Sequence, residues 1–458
     1  MSNQSNPPTP RPDALRGKRV TIMGLGLNRG GLAAARFFVS HGAAVTVTDL
    51  RDETVLAASL EALHALPITY ALGGHQKRHF AETDLVVKNP GVPLTSPFIH
   101  IAQQRHIPVT GDVAYFLEHT SAFTVGVTGT KGKTTTATLI AEGFSALKMK
   151  PLLLSTPDAA IFDSFDSVRH DSVVVLELSS FDLEFLPIVA ISPPIAVITS
   201  FFDDHLAWHG GREHYAAAKQ NIFRFQHKED RVIIPVDDDT VAQLAQGAGA
   251  RLVFAKPLDN EIRLAGTHNR QNAGIALTTI GEAIAHPRFP KRPDAHNAAD
   301  KAEKAIRSFP GVHDRFDRIG ETEGRYGIND TAATNPGAAI AGLAATARPI
   351  VLICGGDAKG LVYDALADAI TKRVKRVILL PGNASEMLQT LLSERGFSSI
   401  ISGIMDMEGA VAAAFAASET GDTILLSPGA SSLNAFANEF DRGEQFVRAF
   451  LGYQHTTL

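Results

Sequence analysis

The chain has 458 residues, 45% of them hydrophobic and 20% charged, with a net charge of −5 at pH 7. That length suggests about three domains with several cores, and the mild acidity excludes the broad basic field that nucleic acid recognition needs. The single cysteine, Cys354, excludes an intrachain disulfide framework and suits a reducing cytoplasm, and no apolar run is long enough to cross a membrane.

Residues 1–16, rich in Pro, Asn and Ser at their start, read as a disordered tail without the apolar core of a signal peptide. A short apolar run from Lys18 to Met23 then ends in Gly24-Leu-Gly-Leu-Asn-Arg-Gly-Gly31, and a helical run follows to Phe38. Ala44 to Thr48 gives a second strand that stops at Asp49. Strand, glycine turn, helix, strand and acid is the layout of a dinucleotide-type fold, here with loose spacing because Arg29 stands at the third glycine position and Gly30 comes one later. Such a turn could hold a diphosphate from NAD or from a UDP-sugar, and Asp49 and Arg51 could read a ribose or a base. Asp84 to Lys88 is a further strand closing on the rigid turn Asn89-Pro-Gly-Val-Pro93.

A second domain is expected over residues 121–311. Its apolar strand from Phe123 to Val127 enters Gly126-Val-Thr-Gly-Thr-Lys-Gly-Lys-Thr134, and a helix follows from Thr135. Gly129 and Gly132 let backbone N–H groups converge on an anion at the start of that helix. Lys133 would reach the outer phosphates of a nucleoside triphosphate, and the Thr134 hydroxyl would ligate magnesium. Val127 occupies the first glycine position of the strict phosphate-loop pattern, so the loop is a variant. Asp171 to Leu178 is a buried strand that delivers Glu177 at its end, a suitable place for a magnesium carboxylate. Ile195 to Thr199 is another, running into Phe201-Phe-Asp-Asp-His205 and placing His205 at a strand's carboxyl end. Tyr215 to Phe225 is an amphipathic helix carrying Lys219, and Gly266-Thr-His-Asn-Arg-Gln-Asn272 opens another. His286 to Lys304 reads as an exposed polar insertion ahead of a junction near Pro310.

A third domain is expected over residues 312–458. Strands at Tyr326–Asp330, Pro349–Ile353, Val374–Leu380 and Thr423–Leu426 each end in a glycine or small polar turn, the pattern of a parallel sheet with ligand loops on one edge.

These motifs together resemble the Mur ligase family, from Lys18 to about Phe450. The resemblance is carried by the glycine loop to Thr134, Glu177-Leu-Ser-Ser-Phe181, Asp204-His-Leu206, Tyr215-Ala-Ala-Ala-Lys219 and His268-Asn-Arg-Gln-Asn272. Asn329-Asp-Thr-Ala-Ala-Thr-Asn-Pro336 and Ser427-Pro-Gly-Ala-Ser-Ser432 complete it. It implies an α/β chain of three domains: a Rossmann-like UDP-sugar-binding domain (residues 17–120), a central P-loop ATPase domain and a C-terminal Rossmann-like domain that brings the amino acid. It implies an ATP-dependent ligase, expected to be a cytoplasmic monomer, acting on UDP-N-acetylmuramoyl-L-alanine and D-glutamate with two magnesium ions. Lys133, Glu177, His205 and Lys219 would be catalytic. Thr134 and Glu177 would hold one metal ion, His205 and a carbamate on Lys219 would serve as further metal ligands, and Gly129, Thr130, Lys131, Gly132, Thr135, Asn269, Asn272, Arg315 and Asp330 would complete the ATP site. Leu27, Asn28, Asp49, Arg51, Asn89 and Gly91 would take the UDP-sugar, and Thr334, Lys359 and Ser432 the amino acid.

Three positions depart from the family pattern. Ala332 stands where a lysine is usual, Ala207 replaces an aspartate, and Leu154-Ser-Thr-Pro-Asp158 lacks the usual Gly-Asn turn. Ala332 keeps L-glutamate or another acidic amino acid open as the acceptor, and keeps open a ligase-like nucleotide-binding protein without activity. A nicotinamide-dependent oxidoreductase is the other class that the first glycine turn suggests. It leaves the phosphate loop and Glu177 without a role.

Overall fold

The fold is that of a computed structural model, which describes residues 9–26, 29–155, 159–259, 262–264, 266–290, 297–347, 349–358, 361–432 and 436–453. The first sheet is built from β1 (Arg19–Met23), β2 (Ala44–Thr48), β3 (Ile68–Ala71), β4 (Leu85–Lys88) and β5 (Val109–Thr110), in the order β3-β2-β1-β4-β5. All its pairings are parallel, so its central strands are buried on both faces, which explains why β1 and β4 read as mainly apolar runs. The helix Arg29–Ser40 lies close over this sheet because of Gly31, where a Cβ would come within 2.1 Å of the Leu25 carbonyl oxygen. Gly30 has nothing within 4 Å, so the close-packing glycine of the turn is Gly31.

The second sheet contains β6 (Phe123–Thr128), β7 (Leu152–Leu154), β8 (Val173–Glu177), β9 (Ile195–Ile198), β10 (Arg231–Pro235) and β11 (Arg251–Ala255), in the order β11-β10-β9-β6-β8-β7. It too is wholly parallel. The phosphate-loop strand β6 is therefore central, with Val127 paired to Glu177 of β8 on one side and Val197 of β9 on the other. These two sheets belong to one compact unit that reaches Phe309. Aromatic rings join them: Phe37 lies 4.8 Å from Phe162 and 4.9 Å from Phe165, centroid to centroid.

The second compact unit, Pro310–Leu458 with Arg263–Gly266, carries the third sheet. Its strands β12 (Asp317–Thr322), β13 (Arg325–Asn329), β14 (Ile350–Cys354), β15 (Val374–Leu379), β16 (Ile400–Ile401) and β17 (Thr423–Leu426) are ordered β12-β13-β17-β14-β15-β16.

The expectation of a purely parallel third sheet is corrected at one edge. β12 pairs antiparallel with β13 through the two-residue turn Glu323-Gly324, both at positive φ. β12 is half-exposed and polar, so it lacked the apolar signature that identified its neighbours. Residues 9–16 are likewise not a loose tail, and residues 1–8 lie outside the described residues. Thr9 Oγ1 donates to Glu118 Oε2 at 2.5 Å, Tyr115 OH donates to the Pro10 carbonyl at 2.9 Å, and Leu15 is fully buried.

The stretch expected as an exposed insertion, residues 286–304, is partly buried structure. His286 is fully buried on Asp230, at 3.2 Å, and Ala298–Ser308 is a helix packed against Lys133–Ala146 through Ala302 and Gly143. Residues 291–296 lie outside the described residues.

Candidate active site

The turn after β6 is shaped by glycines whose backbone conformation and close surroundings oppose any side chain. Gly129 has φ +149° and Gly132 has φ +85°. A Cβ at Gly129 would meet Thr199 Oγ1 at 2.0 Å, and one at Gly132 would meet Asn272 Oδ1 at 2.6 Å. The first residues beyond β9 brace the same loop. Thr130 N donates to Ser200 O at 2.9 Å, Lys131 N to Ser200 Oγ at 2.9 Å, and Thr199 Oγ1 to Lys131 O at 2.5 Å. Thr130 Oγ1 shares a 3.1 Å hydrogen bond with Tyr215 OH. Gly132 then caps the helix Lys133–Ala146, whose first turn carries Lys133, Thr134 and Thr135. The N–H groups of a helix's first turn and a lysine thus meet at one point, an arrangement suited to a polyphosphate.

Lys133 Nζ donates to the carbonyls of Gly129, at 3.1 Å, and Thr130, at 3.2 Å. Lys219 reaches the same loop from another side. Its Nζ donates to Gly129 O at 2.9 Å and lies 4.8 Å above the Tyr215 ring, and the residue is 1% exposed. The solvated helix lysine that its sequence neighbours would also allow is therefore excluded. Burial, and then the charge of Lys133, drive its pKa well below the ordinary 10.5.

Thr134 Oγ1 donates to Glu177 Oε1 at 2.8 Å, and both residues are buried. Glu177 Oε2 is buried with no hydrogen-bond partner. A buried, unpaired carboxylate oxygen is costly unless something cationic takes it. A hydroxyl and a carboxylate beside a phosphate loop are hard oxygen donors, so these residues fit magnesium. His205 has φ +51° and a side chain 50% exposed, with Nε2 3.7 Å from Asp204 Oδ1. Burial lowers its pKa, and Lys133, Lys131 and Lys219 lower it further. Asn269 and Asn272 are both buried at the start of the helix Thr267–Ala285, with Asn272 Nδ2 donating to Asn269 Oδ1 at 3.3 Å. The glycine loop, Glu177, Lys219 and Asn272 therefore meet at one edge of the second sheet.

The first sheet holds the residues expected at the UDP-sugar. Asp49 is buried and both its oxygens accept locally, Oδ2 from Gly26 N at 3.0 Å and Oδ1 from Arg51 N at 2.9 Å. It braces its own glycine turn, while the Arg51 side chain stays half-exposed. Asn89 N donates to Met23 O at 2.9 Å, which seats the Asn89–Gly91 turn beside the same turn. Leu27 and Asn28 lie outside the described residues.

In the second unit, Asp330 accepts from Phe316 N at 3.1 Å and from Ser427 Oγ at 2.7 Å, which joins the ends of β13 and β17. Arg315 is half-buried within the same unit. Thr334 is half-buried and Ser432 buried, in the turns that follow β13 and β17. Lys359 lies outside the described residues, as does Pro157 with its two neighbours in the departing turn after β7.

Sequence reasoning gave no role to Thr199, Ser200 and Tyr215, which hold the loop, or to His209, which holds the segment after His205. The His209 ring is pinned between Glu184 Oε1, at 2.9 Å, and Ser180 Oγ, at 3.0 Å, and burial takes its pKa down to about 4. Thr199 and Ser200 were signalled by their place at the carboxyl end of β9, where ligand loops gather.

Three family models match consecutive stretches of the chain: a Mur ligase MurD-like N-terminal domain at residues 18–111, a Mur ligase middle domain at 127–261 and a Mur ligase, glutamate ligase domain at 314–429. The UDP-N-acetylmuramoylalanine–D-glutamate ligase of Roseiflexus sp. (strain RS-1) is 37% identical over 470 residues, covering 95% of this chain and 98% of that protein. The crystal structure of UDP-N-acetylmuramate-alanine ligase MurC from Thermotoga maritima matches with a TM-score of 0.61 at 20% identity, over 95% of this chain and all of that one. The MurF ligase of Thermotoga maritima in complex with ADP matches with a TM-score of 0.57 at 15% identity, over 98% of each chain.

Proposed function

The chain belongs to the Mur ligase family, and from that premise we propose that it joins D-glutamate to UDP-N-acetylmuramoyl-L-alanine with ATP, in peptidoglycan precursor synthesis. The observation that carries this reading is the Thr134–Glu177 pair beside the glycine loop, with one Glu177 oxygen buried and unpaired. It is the donor set expected of a metal-assisted phosphoryl transfer.

The chemistry answers a physical difficulty. A carboxylate is a poor electrophile, and its oxygen cannot be displaced by an amine at neutral pH. Transfer of the γ-phosphoryl group to a donor carboxylate oxygen forms an acyl phosphate and ADP. The amine nitrogen then attacks the acyl carbon, the C–O bond breaks, phosphate leaves with the electron pair, and the nitrogen loses its proton. Lys133 neutralises charge on the transferring group, and the N–H groups at the start of its helix orient the polyphosphate. Thr134 and Glu177 would hold one magnesium ion and His205 a second; when bound, the metal polarises the phosphoryl oxygens.

Lys219 is suited to carbamate formation. Carbamylation needs the neutral amine, whose lone pair attacks carbon dioxide with loss of a proton, and the lowered pKa of Lys219 enlarges that neutral fraction at pH 7. The resulting anion would offer oxygens to a metal where an ammonium would repel it.

In this reading the first sheet takes the UDP-sugar through the turns at Asp49, Arg51 and Asn89–Gly91. The turns after β13 and β17 take the amino acid, with Thr334 and Ser432. The protein acts as a cytoplasmic monomer. Among the described residues no helix is long and apolar enough to cross a membrane. Ala332 favours a second acceptor reading, L-glutamate or another acidic amino acid, because a cation usual in the family is missing. The test is phosphate release from ATP with UDP-N-acetylmuramoyl-L-alanine and a panel of amino acids. Release that needs both the donor and D-glutamate is expected; release with neither, or only with a neutral amino acid, would contradict the reading.

A further inference from the structure

Resting on the donor assignment just made, we propose that Lys88 is a positioning residue for the donor: its buried ammonium clamps the Asn89–Val92 turn and ties that turn to the segment following Glu177. Lys88 closes β4 and is 1% exposed. Its Nζ donates to the carbonyls of Asn89, at 3.3 Å, Pro90, at 3.2 Å, and Val92. Two of those carbonyls belong to peptide groups that lead into Pro90 and Pro93 and so carry no N–H. The turn is therefore rich in acceptors and poor in donors, and an interior cation satisfies three of the acceptors at once.

This clamp decides which way the turn faces. With the Pro90 carbonyl held inward, the N–H of Gly91 points the opposite way, where it meets only Asn89 Oδ1 at 3.2 Å. The turn packs tightly on the first glycine turn, since a Cβ at Gly24 would lie 3.0 Å from Asn89 Cβ and 3.3 Å from Val92 Cγ2. Asn89 O also accepts from Val92 N at 3.0 Å, but without the Lys88 charge the Pro90 and Val92 carbonyls would be free to turn outward and present negative dipoles to a diphosphate.

The same ammonium lies 4.3 Å above the Phe185 ring. Phe185 belongs to the chain that leaves β8 through the Ser179–Asp182 capping box. The donor turn is thus in contact, through Lys88, with the segment that follows the Glu177 strand end. A donor bound at one sheet edge must place its carboxylate at the phosphoryl group on the other, and small misplacements there cost rate steeply. Glu184, Asp182 and Asp112 act on Lys88 and oppose the effect of burial, which takes its pKa down to about 8. Asp182 itself is pushed up to about 7, first by burial, and Asp112 and Glu184 are raised for the same reason.

The experiment is calorimetric binding of UDP-N-acetylmuramoyl-L-alanine and of ATP to wild type and to Lys88→Met, which keeps length and burial but removes the charge. Thermal unfolding checks that the variant is folded. Donor Kd should rise at least about tenfold in the variant, the scale of lost hydrogen bonds to a charged group, while ATP Kd stays within about twofold. A folded Lys88→Met that binds donor as wild type does would overturn the role of Lys88 alone. Wild type that binds no donor would overturn the donor assignment itself. If Lys88→Met does not fold, wild type decides. Donor Kd should rise between about pH 7 and about pH 8.5 as the ammonium deprotonates, with ATP Kd flat, and a flat donor profile would overturn the proposal.

Discussion

Two turns in this molecule share one local plan and differ in electrostatics. The turn after β1 and the turn after β6 each follow a buried parallel strand, each use glycines at positive φ and each lead into a helix. At the first, Asp49 spends both oxygens on Gly26 N and Arg51 N, so the acid is satisfied by its own surroundings. At the second, Lys133 and Lys219 both donate to the Gly129 carbonyl, and Glu177 keeps one buried oxygen unpaired. A turn braced by a satisfied acid suits holding a substrate part that does not react. The Lys133 ammonium and a second lysine of lowered pKa, beside an unpaired carboxylate oxygen, suit a site where charge moves.

The largest expected effect breaks the second turn. Lys133→Ala should lower kcat by about 10³-fold, because it removes the cation best placed to neutralise the transferring group. A folded variant with near-native turnover would contradict the assignment of the loop. Lys219→Ala comes next, with a loss of about 10²-fold and partial recovery on adding short carboxylic acids, which can supply the missing oxygens. Steady-state rates with and without acetate check it, and a fully active variant would remove the carbamate from the account.

Smaller changes sharpen the contrast. Gly132→Ala should destabilise the first unit by about 1–3 kcal/mol, since φ +85° and the approach of Asn272 both oppose a Cβ. Denaturant unfolding would show it, and an unchanged midpoint would mean the loop adapts. Asp49→Asn should raise the donor KM by about fivefold and leave the ATP KM alone, because one oxygen still accepts but the second hydrogen bond is lost. Equal effects on both substrates would blur the division between the turns. Tyr215→Phe should do least, raising the ATP KM by about twofold through the lost contact to Thr130.

The sequence made the sheets legible where burial on both faces leaves an apolar run, and less so elsewhere. β1, β4, β6, β8 and β9 are runs of this kind, and all but β1 end at a residue of the candidate site or at its neighbour. Polar β12 and the helix Ala298–Ser308 hide their partners, because one relies on a hairpin and the other on a groove beside Gly143. Within the candidate site, residue type and strand-end position pointed to Lys133, Thr134 and Glu177, which lie together around the loop. They could not tell that Asp49 would turn inward, that Lys219 would be buried, or that Thr199, Ser200 and Tyr215 would brace the loop. Those facts depend on contacts between strands far apart in the chain.

The central claim is that the turn after β6 activates a carboxylate delivered by a donor held at the first sheet. The most direct test is borohydride trapping of the acyl phosphate, with UDP-N-acetylmuramoyl-L-alanine and ATP present and no amino acid. The account predicts reduction of the alanyl carboxyl to an alcohol only when ATP is present, and none with Lys133→Ala. Equal trapping without ATP, or none at all from a wild-type protein that forms amide product, would contradict it.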